Sequence, residues 1–316
     1  MARESDDAFV ALRRIAAVER LPRTVAAIAS LPVWPGDATR RLIEQGARQG
    51  TGARPGDAWN SGDPYEMYVG RWSHFVASEF LAWLNPPPSL RWLDVGCGTG
   101  ALTSAIAEKC RPARLLGIDP SEGFLAKARA RLGDRASLRV ANALEIPLRD
   151  AEVDVVVSGL VLNFIPGTAG GLAEMRRVVS PGGTVAAYVW DYAGRMDLMR
   201  HFWDAAVELD PATRELDEGV RFPLCRPDAL QDVFRDAHLA EVQVTPIDIP
   251  TPFRDFDDYW TPFLGGQGPA PSYAMSLDES SRNRLRDRIR ARLPGQPDGS
   301  ILLMARAWAV RGRAPA

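Results

Sequence analysis

The chain has 316 residues, 46% of them hydrophobic and 25% charged, with a net charge of -2. That is enough for one large domain with additions, and there is no excess of charge to draw it to nucleic acid or an anionic membrane. Three widely spaced cysteines, Cys97, Cys110 and Cys225, argue against a disulfide framework or zinc cluster, and no apolar run approaches the ~20 residues that span a bilayer, so a cytoplasmic protein with no nucleic-acid or membrane partner is expected.

Residues 1–60 read as a helical N-terminal extension and linker. Ser5 can cap a helix whose apolar face is Phe9, Leu12, Ile15 and Ala16. Asp37 can cap another, carrying Leu42 and Ile43, and residues 50–64 have the Gly, Pro, Asp and Ser content of a linker. The extension could serve to form a homodimer. Residues 65–84 predict an aromatic-rich helix with Phe75, Phe80 and Leu84 in the core. Tyr68, Arg71 and Trp72 lie near its start, where a helix can cover a ligand, and Pro86-Pro87-Pro88 ends it.

From Leu90 the pattern alternates. Strand Leu90–Val95 leads to helix Ala101–Cys110, and strand Arg114–Ile118 leads through Asp119 to a helix, Glu122–Leu132, capped by Ser121. Strand Ser137–Val140 follows. Residues 154–158 then form an apolar run typical of a strand buried on both faces. Helix Thr168–Val179 and strand Thr184–Trp190 complete five β units, which predicts a mostly parallel sheet with right-handed crossovers. Beyond Trp190 come helix Met196–Leu209, helix Asp228–Ala237, a strand near Val242–Ile249, an exposed charged helix over 281–292 and a last strand, Ile301–Val310. The core is expected at 61–190. Residues 191–316 supply the rest of the sheet with lid insertions at 191–222 and 250–298.

Between the first strand and its helix lies Asp94-Val95-Gly96-Cys97-Gly98-Thr99-Gly100. Glycines let the backbone approach a ligand closely, and the following helix offers unpaired N–H groups and its positive dipole end. Gly96, Gly98 and Ala101 also satisfy the dinucleotide pattern, with Asp119 near the distance expected for ribose, so an NAD(P)-dependent oxidoreductase is a legitimate rival. Asp94 tilts the choice, because a carboxylate in the crevice repels a pyrophosphate and attracts a cationic amino group. Gly100 adds a third close-approach position, and a single strand after a long insertion suits a last strand inserted antiparallel.

Leu93–Gly100 resembles the first motif of class I S-adenosylmethionine-dependent methyltransferases, and further resemblances arrive in order at 116–121, 141–148, 155–164 and 175–183. The subgroup it looks like is the small-molecule enzymes related to ubiquinone and menaquinone biosynthesis. The resemblance implies a Rossmann-like, doubly wound sheet of seven strands and S-adenosyl-L-methionine as cofactor. Gly96, Cys97, Gly98 and Gly100 would hold its methionine part and ribose, with Asp94 at the amino group. Asp119, beside Pro120 and Ser121, would take the ribose hydroxyls. Asn142, Ala143 and Leu144 would meet the adenine, with Asn142 standing where most relatives have Asp. Ser158 and Gly159 would line the methionine end. Tyr68, Arg71 and Trp72 resemble the closing helix, with Arg71 at the cofactor carboxylate and the aromatics at the sulfonium.

Where many relatives carry a histidine, this chain has Leu162-Asn163-Phe164, which puts Asn163 at the cofactor and removes an imidazole. Of the three histidines, His74 reads as wall or surface and His238 as a helix cap. His201, in the first helix after the core, is the candidate to touch the chemistry. Methyl transfer is an in-line displacement that needs alignment and exclusion of water. It needs no metal, and no ligand cluster is visible. Tyr192, Trp203, Trp260 and Phe263 are the candidate walls for a small apolar or aromatic substrate, with core packing as the alternative for each. A protein that binds S-adenosylmethionine without methylating is the remaining alternative.

Overall fold

The computed structural model describes residues 66–316 except Gln267. The expected helices at Ser5 and Asp37, the linker at 50–64 and Tyr65 lie outside the described residues.

A π-helical turn, Glu66–Gly70, opens into α1, Arg71–Leu84. This helix buries Trp72, Val76, Ala77, Phe80, Leu81 and Leu84 along one stripe. Asn85 ends it in the left-handed region at φ 43°, ahead of the three prolines. Phe75 departs from expectation and is 49% exposed. It rests on its neighbours His74 and Trp72 on the outer side of the helix.

The strands are β1 (Arg91–Val95), β2 (Arg114–Asp119), β3 (Ser137–Val140), β4 (Val153–Gly159), β5 (Val179–Trp190), β6 (Ala240–Phe253) and β7 (Ile301–Arg313). They form one sheet in the order β3-β2-β1-β4-β5-β7-β6. Pairs from β3 to β5 are parallel, while β7 runs antiparallel to both β5 and β6, the inserted last strand the sequence predicts. Helices α2 (Ala101–Lys109) and α3 (Glu122–Leu132) cross over between β1, β2 and β3, and α4 (Thr168–Val178) between β4 and β5. Right-handed crossovers put α2 and α3 on one face and α4 on the other. α1 packs on α2, and α7 (Pro227–Asp236) packs on α4. Ser121 caps α3 as expected, its hydroxyl accepting from Phe124 N at 3.3 Å.

Strands covered on both faces are apolar throughout. β4 buries Val153, Val155, Val156 and Val157. The second half of the sheet is longer than its sequence signal. β6 runs on to Phe253 through Pro246, Pro250 and Pro252, and β7 extends to Arg313. Prolines read as punctuation, yet β6 is an edge strand, where a missing N–H costs the ladder nothing. Its Ile247, Ile249, Thr251 and Phe253 alternate inward.

The helices after β5 are α5 (Asp197–Leu209), the short α6 (Glu218–Arg221), α7, α8 (Phe256–Trp260), α9 (Pro269–Ser276) and the charged α10 (Glu279–Arg292). No described helix is long and apolar enough to cross a membrane.

Gly100 precedes α2 with φ +87°, and a Cβ built there would meet Leu132 Cδ1 at 3.1 Å and Ala128 Cβ at 3.3 Å. The third glycine of the turn therefore lets α2 close on α3. Gly100→Ala combines a left-handed backbone with overpacking and should lower unfolding stability by roughly 1–3 kcal/mol, to be read from the urea midpoint at constant m-value.

Candidate functional site

Strand order reverses between β1 and β4, and at such a switch the loops leaving the two strands part and open a crevice at the carboxyl ends. A cavity of 440 Å³ lies there. The strand order divides its wall in two. Over β1–β3 stand the Gly96–Thr99 turn, Asp119 to Ser121, and Ala141 to Ala143. Over β4 and β5 stand Gly159 to Val161, Phe164, Tyr188, Trp190 and Tyr192, joined by Met199 of α5, Glu218 of α6 and Pro269 of α9.

On the first side, Asp94 is the last residue but one of β1, at 1% exposure. Its Oδ2 accepts from Thr103 Oγ1 at 2.6 Å, and its Oδ1 has no partner among the described residues. Burial pushes the carboxyl up to about 7; the Thr103 hydroxyl opposes this and the charge of Asp119 adds to it. Asp119 ends β2 with both oxygens on the backbone, Oδ2 accepting from Gly98 N at 3.0 Å and Oδ1 from Ser121 N at 2.8 Å. Burial raises its pKa and those two N–H groups hold it down. The contacts fix the carboxylate at the cavity edge with lone pairs to spare. Gly98 has φ +54° and nothing within 4 Å of a built Cβ, so the backbone lies open where a ligand would sit. Asn142 Oδ1 accepts from Leu144 N at 3.0 Å, closing a small Asx turn. That occupies the carbonyl the sequence offered as an acceptor and leaves the amide hydrogens as its donors. Cys97 is buried, and burial raises its thiol, which keeps it unreactive.

On the second side the wall is apolar and aromatic, with one acid among the described residues. Glu218 is 1% exposed. Its Oε2 accepts from Trp203 Nε1 and its Oε1 has no partner among the described residues. Burial pushes it up to about 7. Nothing in the sequence singles it out, because Asp217-Glu218-Gly219 in a polar loop resembles a solvated turn. Asp217 in fact caps α6 by accepting from Gly219 N at 2.8 Å and pairs with Arg200 at 2.6 Å, which folds the loop inward.

Of the residues expected at the cofactor, Asp94, Gly96, Cys97, Gly98, Asp119, Pro120, Ser121, Asn142, Ala143 and Gly159 line the cavity. The remaining expected residues do not reach the wall. Arg71 is held by Asp258, Nη1 to Oδ1 at 3.1 Å and Nη2 to Oδ2 at 3.3 Å, and lies over the Trp72 and Phe253 rings. Burial raises the Asp258 carboxyl, but Arg71 and Arg254 outweigh it and pull it down to about 2, so the guanidinium is committed. Tyr68 packs edge-on against Phe263, and Trp72 against Phe253. Gly100 faces α3. Leu144 is 41% exposed, and Ser158 is fully buried within β4. The Asn163 carboxamide is buried without partners on the turn 162–164, where its neighbour Phe164 reaches the cavity instead.

Of the expected substrate walls only Tyr192 lines the cavity. Trp203 stands behind Glu218, Phe263 stacks on Phe202 at 4.6 Å, and Trp260 stacks on Phe256 at 6.5 Å. Core packing is what these three do. His201 is half-buried among Asp197, Asp204 and Arg292, with its pKa lowered by burial. It lies about 200° around α5 from Met199, the residue of that helix at the wall. Among the described residues no group of three or more His, Cys, Asp or Glu could hold a metal ion.

Residues 93–187 match the family described as methyltransferase domain. A demethylmenaquinone methyltransferase of Symbiobacterium thermophilum is 34% identical over 123 residues, 37% of this chain and 49% of that protein. The chain thus spans about half the length of that relative. An uncharacterized methyltransferase of Mycobacterium tuberculosis is 29% identical over 227 residues, 69% of this chain and 79% of that one. The solved structure of the YcgJ protein of Bacillus subtilis shares the fold, with a TM-score of 0.52 at 15% identity over 77% of this chain and 99% of that one. Residues 93–187 therefore form a methyltransferase domain of the class I S-adenosylmethionine-dependent family.

Proposed function

We propose that this chain transfers the methyl group of S-adenosylmethionine to a small, largely apolar or aromatic metabolite, without a metal and in the cytoplasm. The observation that carries the reading is the gathering of Asp94, Gly98, Asp119 and Asn142 from three successive strand ends around one half of a single cavity. The residues fit the cofactor on two counts. Asp94 Oδ1 is a buried acceptor with no donor among the described residues, which a cationic amino group would satisfy. At Gly98 a side chain would enter the space the ligand needs.

In this reading Asp94 holds the amino group, Asp119 the ribose hydroxyls and Asn142 a ring nitrogen through its amide hydrogens. Bound there, S-adenosylmethionine supplies an electrophilic methyl group on a sulfonium sulfur. The chain's own contribution is placement: Gly159 to Val161, Tyr188, Trp190 and Tyr192 wall the space beyond the turn, orient the acceptor and keep water out. The rival dinucleotide reading has to seat a pyrophosphate beside the buried Asp94 and Asp119.

Calorimetric titration tests this. S-adenosylhomocysteine should bind and NADH should not; the reverse result overturns the reading. Asp119→Ala should weaken S-adenosylhomocysteine binding by about 1–3 kcal/mol, the size of lost hydrogen bonds to a charged group. The pH dependence has a definite sign. Asp94 must be ionised to hold a cation, and its carboxyl in the folded protein ionises only near pH 7. Affinity should therefore rise several-fold from pH 6 to pH 7.5, with proton release on binding, and the rise should flatten in Asp94→Asn.

A further inference from the structure

Among the described residues the acceptor half of the cavity contains one acid, and that acid is incomplete. Glu218 is held from behind: Trp203 Nε1 donates to Oε2, the Asp217–Arg200 pair pins the start of α6, and a Cβ at Gly219 would meet the Ala193 Cα at 2.9 Å, so α6 sits hard against the loop after β5. None of these contacts reaches Oε1, which is buried with no donor among the described residues. The ionisable groups around it are the Tyr68 phenol from the turn before α1, together with Asp217 and Arg221 on its own segment, and the Tyr192 phenol shares the cavity wall. A buried acceptor left unpaired costs free energy that a ligand donor recovers.

A second unpaired group has the opposite sense. Trp190 ends β5 in the same wall, and its indole Nε1, a donor only, is buried without an acceptor. The rest of this half is apolar or aromatic: Leu160, Val161, Ile165 and Met199 among others.

We infer that Glu218 is the specificity-determining residue for the methyl acceptor, and that the acceptor is a neutral, hydroxyl-bearing molecule with an apolar body, whose O–H donates to Glu218 Oε1 and which offers an oxygen to Trp190 Nε1. A hydroxyl can both donate and accept, whereas an ammonium group can only donate and an ether can only accept. The inference rests on the cofactor reading above, since it assigns the other half of the cavity to S-adenosylmethionine.

Binding to the full chain saturated with S-adenosylhomocysteine provides the test, with three small probes: 4-ethylphenol (donor and acceptor), 4-ethylanisole (acceptor only) and 2-phenylethylamine (cationic donor). In the native chain 4-ethylphenol should bind at least about tenfold more tightly than 4-ethylanisole, the scale of one hydrogen bond to a charged group. Glu218→Gln should remove most of that gap while leaving 4-ethylanisole unchanged. Glu218→Asp, which keeps the charge but withdraws it, should fall between. Because the ionised carboxylate is the stronger acceptor, binding of 4-ethylphenol to the native chain should tighten from pH 6 to pH 8, and in Glu218→Gln it should be flat.

Absence of S-adenosylhomocysteine binding to the native chain would sink the cofactor reading, and this inference with it, before any probe is added. With that binding intact, failure of 4-ethylphenol to bind, equal affinity in the Glu218 variants, or a preference for 2-phenylethylamine each overturns the inference alone. Loss of S-adenosylhomocysteine binding in both Glu218 variants overturns it too, since Glu218 would then serve the cofactor or the fold.

Discussion

Between β1 and β4 the sheet reverses its direction of growth. β2 and β3 are added on one side and β5, β7 and β6 on the other, so the crossovers diverge and cover neither carboxyl end at the divide. The cavity and the residues that line it sit at that gap. Asp94 is buried because it lies near the end of β1, an inner strand beside it, Asp119 reaches it because β2 is next in order, and Asn142 because β3 is next again. The wall over β4 and β5 is a separate surface with separate chemistry. Two halves with different donors and acceptors suit a reaction that brings two different molecules together.

The cavity holds two half-satisfied acids. Asp94 and Glu218 each accept one side-chain hydrogen bond, from Thr103 and Trp203, and each keeps one oxygen without a partner. Burial pushes both up to about 7. In the free protein they can take up a proton and avoid two uncompensated buried charges; a ligand with suitable donors reverses that by stabilising the ionised form. Asp119 differs because its two backbone N–H contacts offset part of the burial, leaving it fixed and ready to accept.

How much of this was legible in the sequence depended on whether a residue's role is local. Asp94 and Asp119 stand where an apolar strand meets an acid, so their meeting at one cavity could be read from the alternation of strands and helices, whereas Asn142 follows the largely exposed Ser137–Val140 strand and was marked only by the family resemblance. The antiparallel insertion of β7 was legible from chain order as well. The misses came from long-range partners. Nothing near Arg71 announces Asp258, 187 residues away, and only that pairing shows the guanidinium to be engaged. The prolines of β6 look like breaks until the strand is known to lie at the sheet edge. Gly100 shares its sequence neighbourhood with Gly98, yet one faces open space and the other faces Leu132 and Ala128.

The aromatic residues show the same division at the level of specificity. Tyr192 reaches the cavity, while Trp203, Trp260 and Phe263 pack behind it. Trp203 nevertheless controls what the cavity presents, since its indole satisfies one Glu218 oxygen and leaves the other without a donor. Phe263 in turn stacks on Phe202, whose ring lies edge-on to Trp203 at 5.2 Å. The position of the single acid in an otherwise apolar wall is thus set by a chain of rings that never touches a ligand. Such a wall can be re-tuned from behind: a change of ring volume at 202, 203 or 263 shifts the Glu218 carboxylate through close packing without altering any residue that lines the cavity.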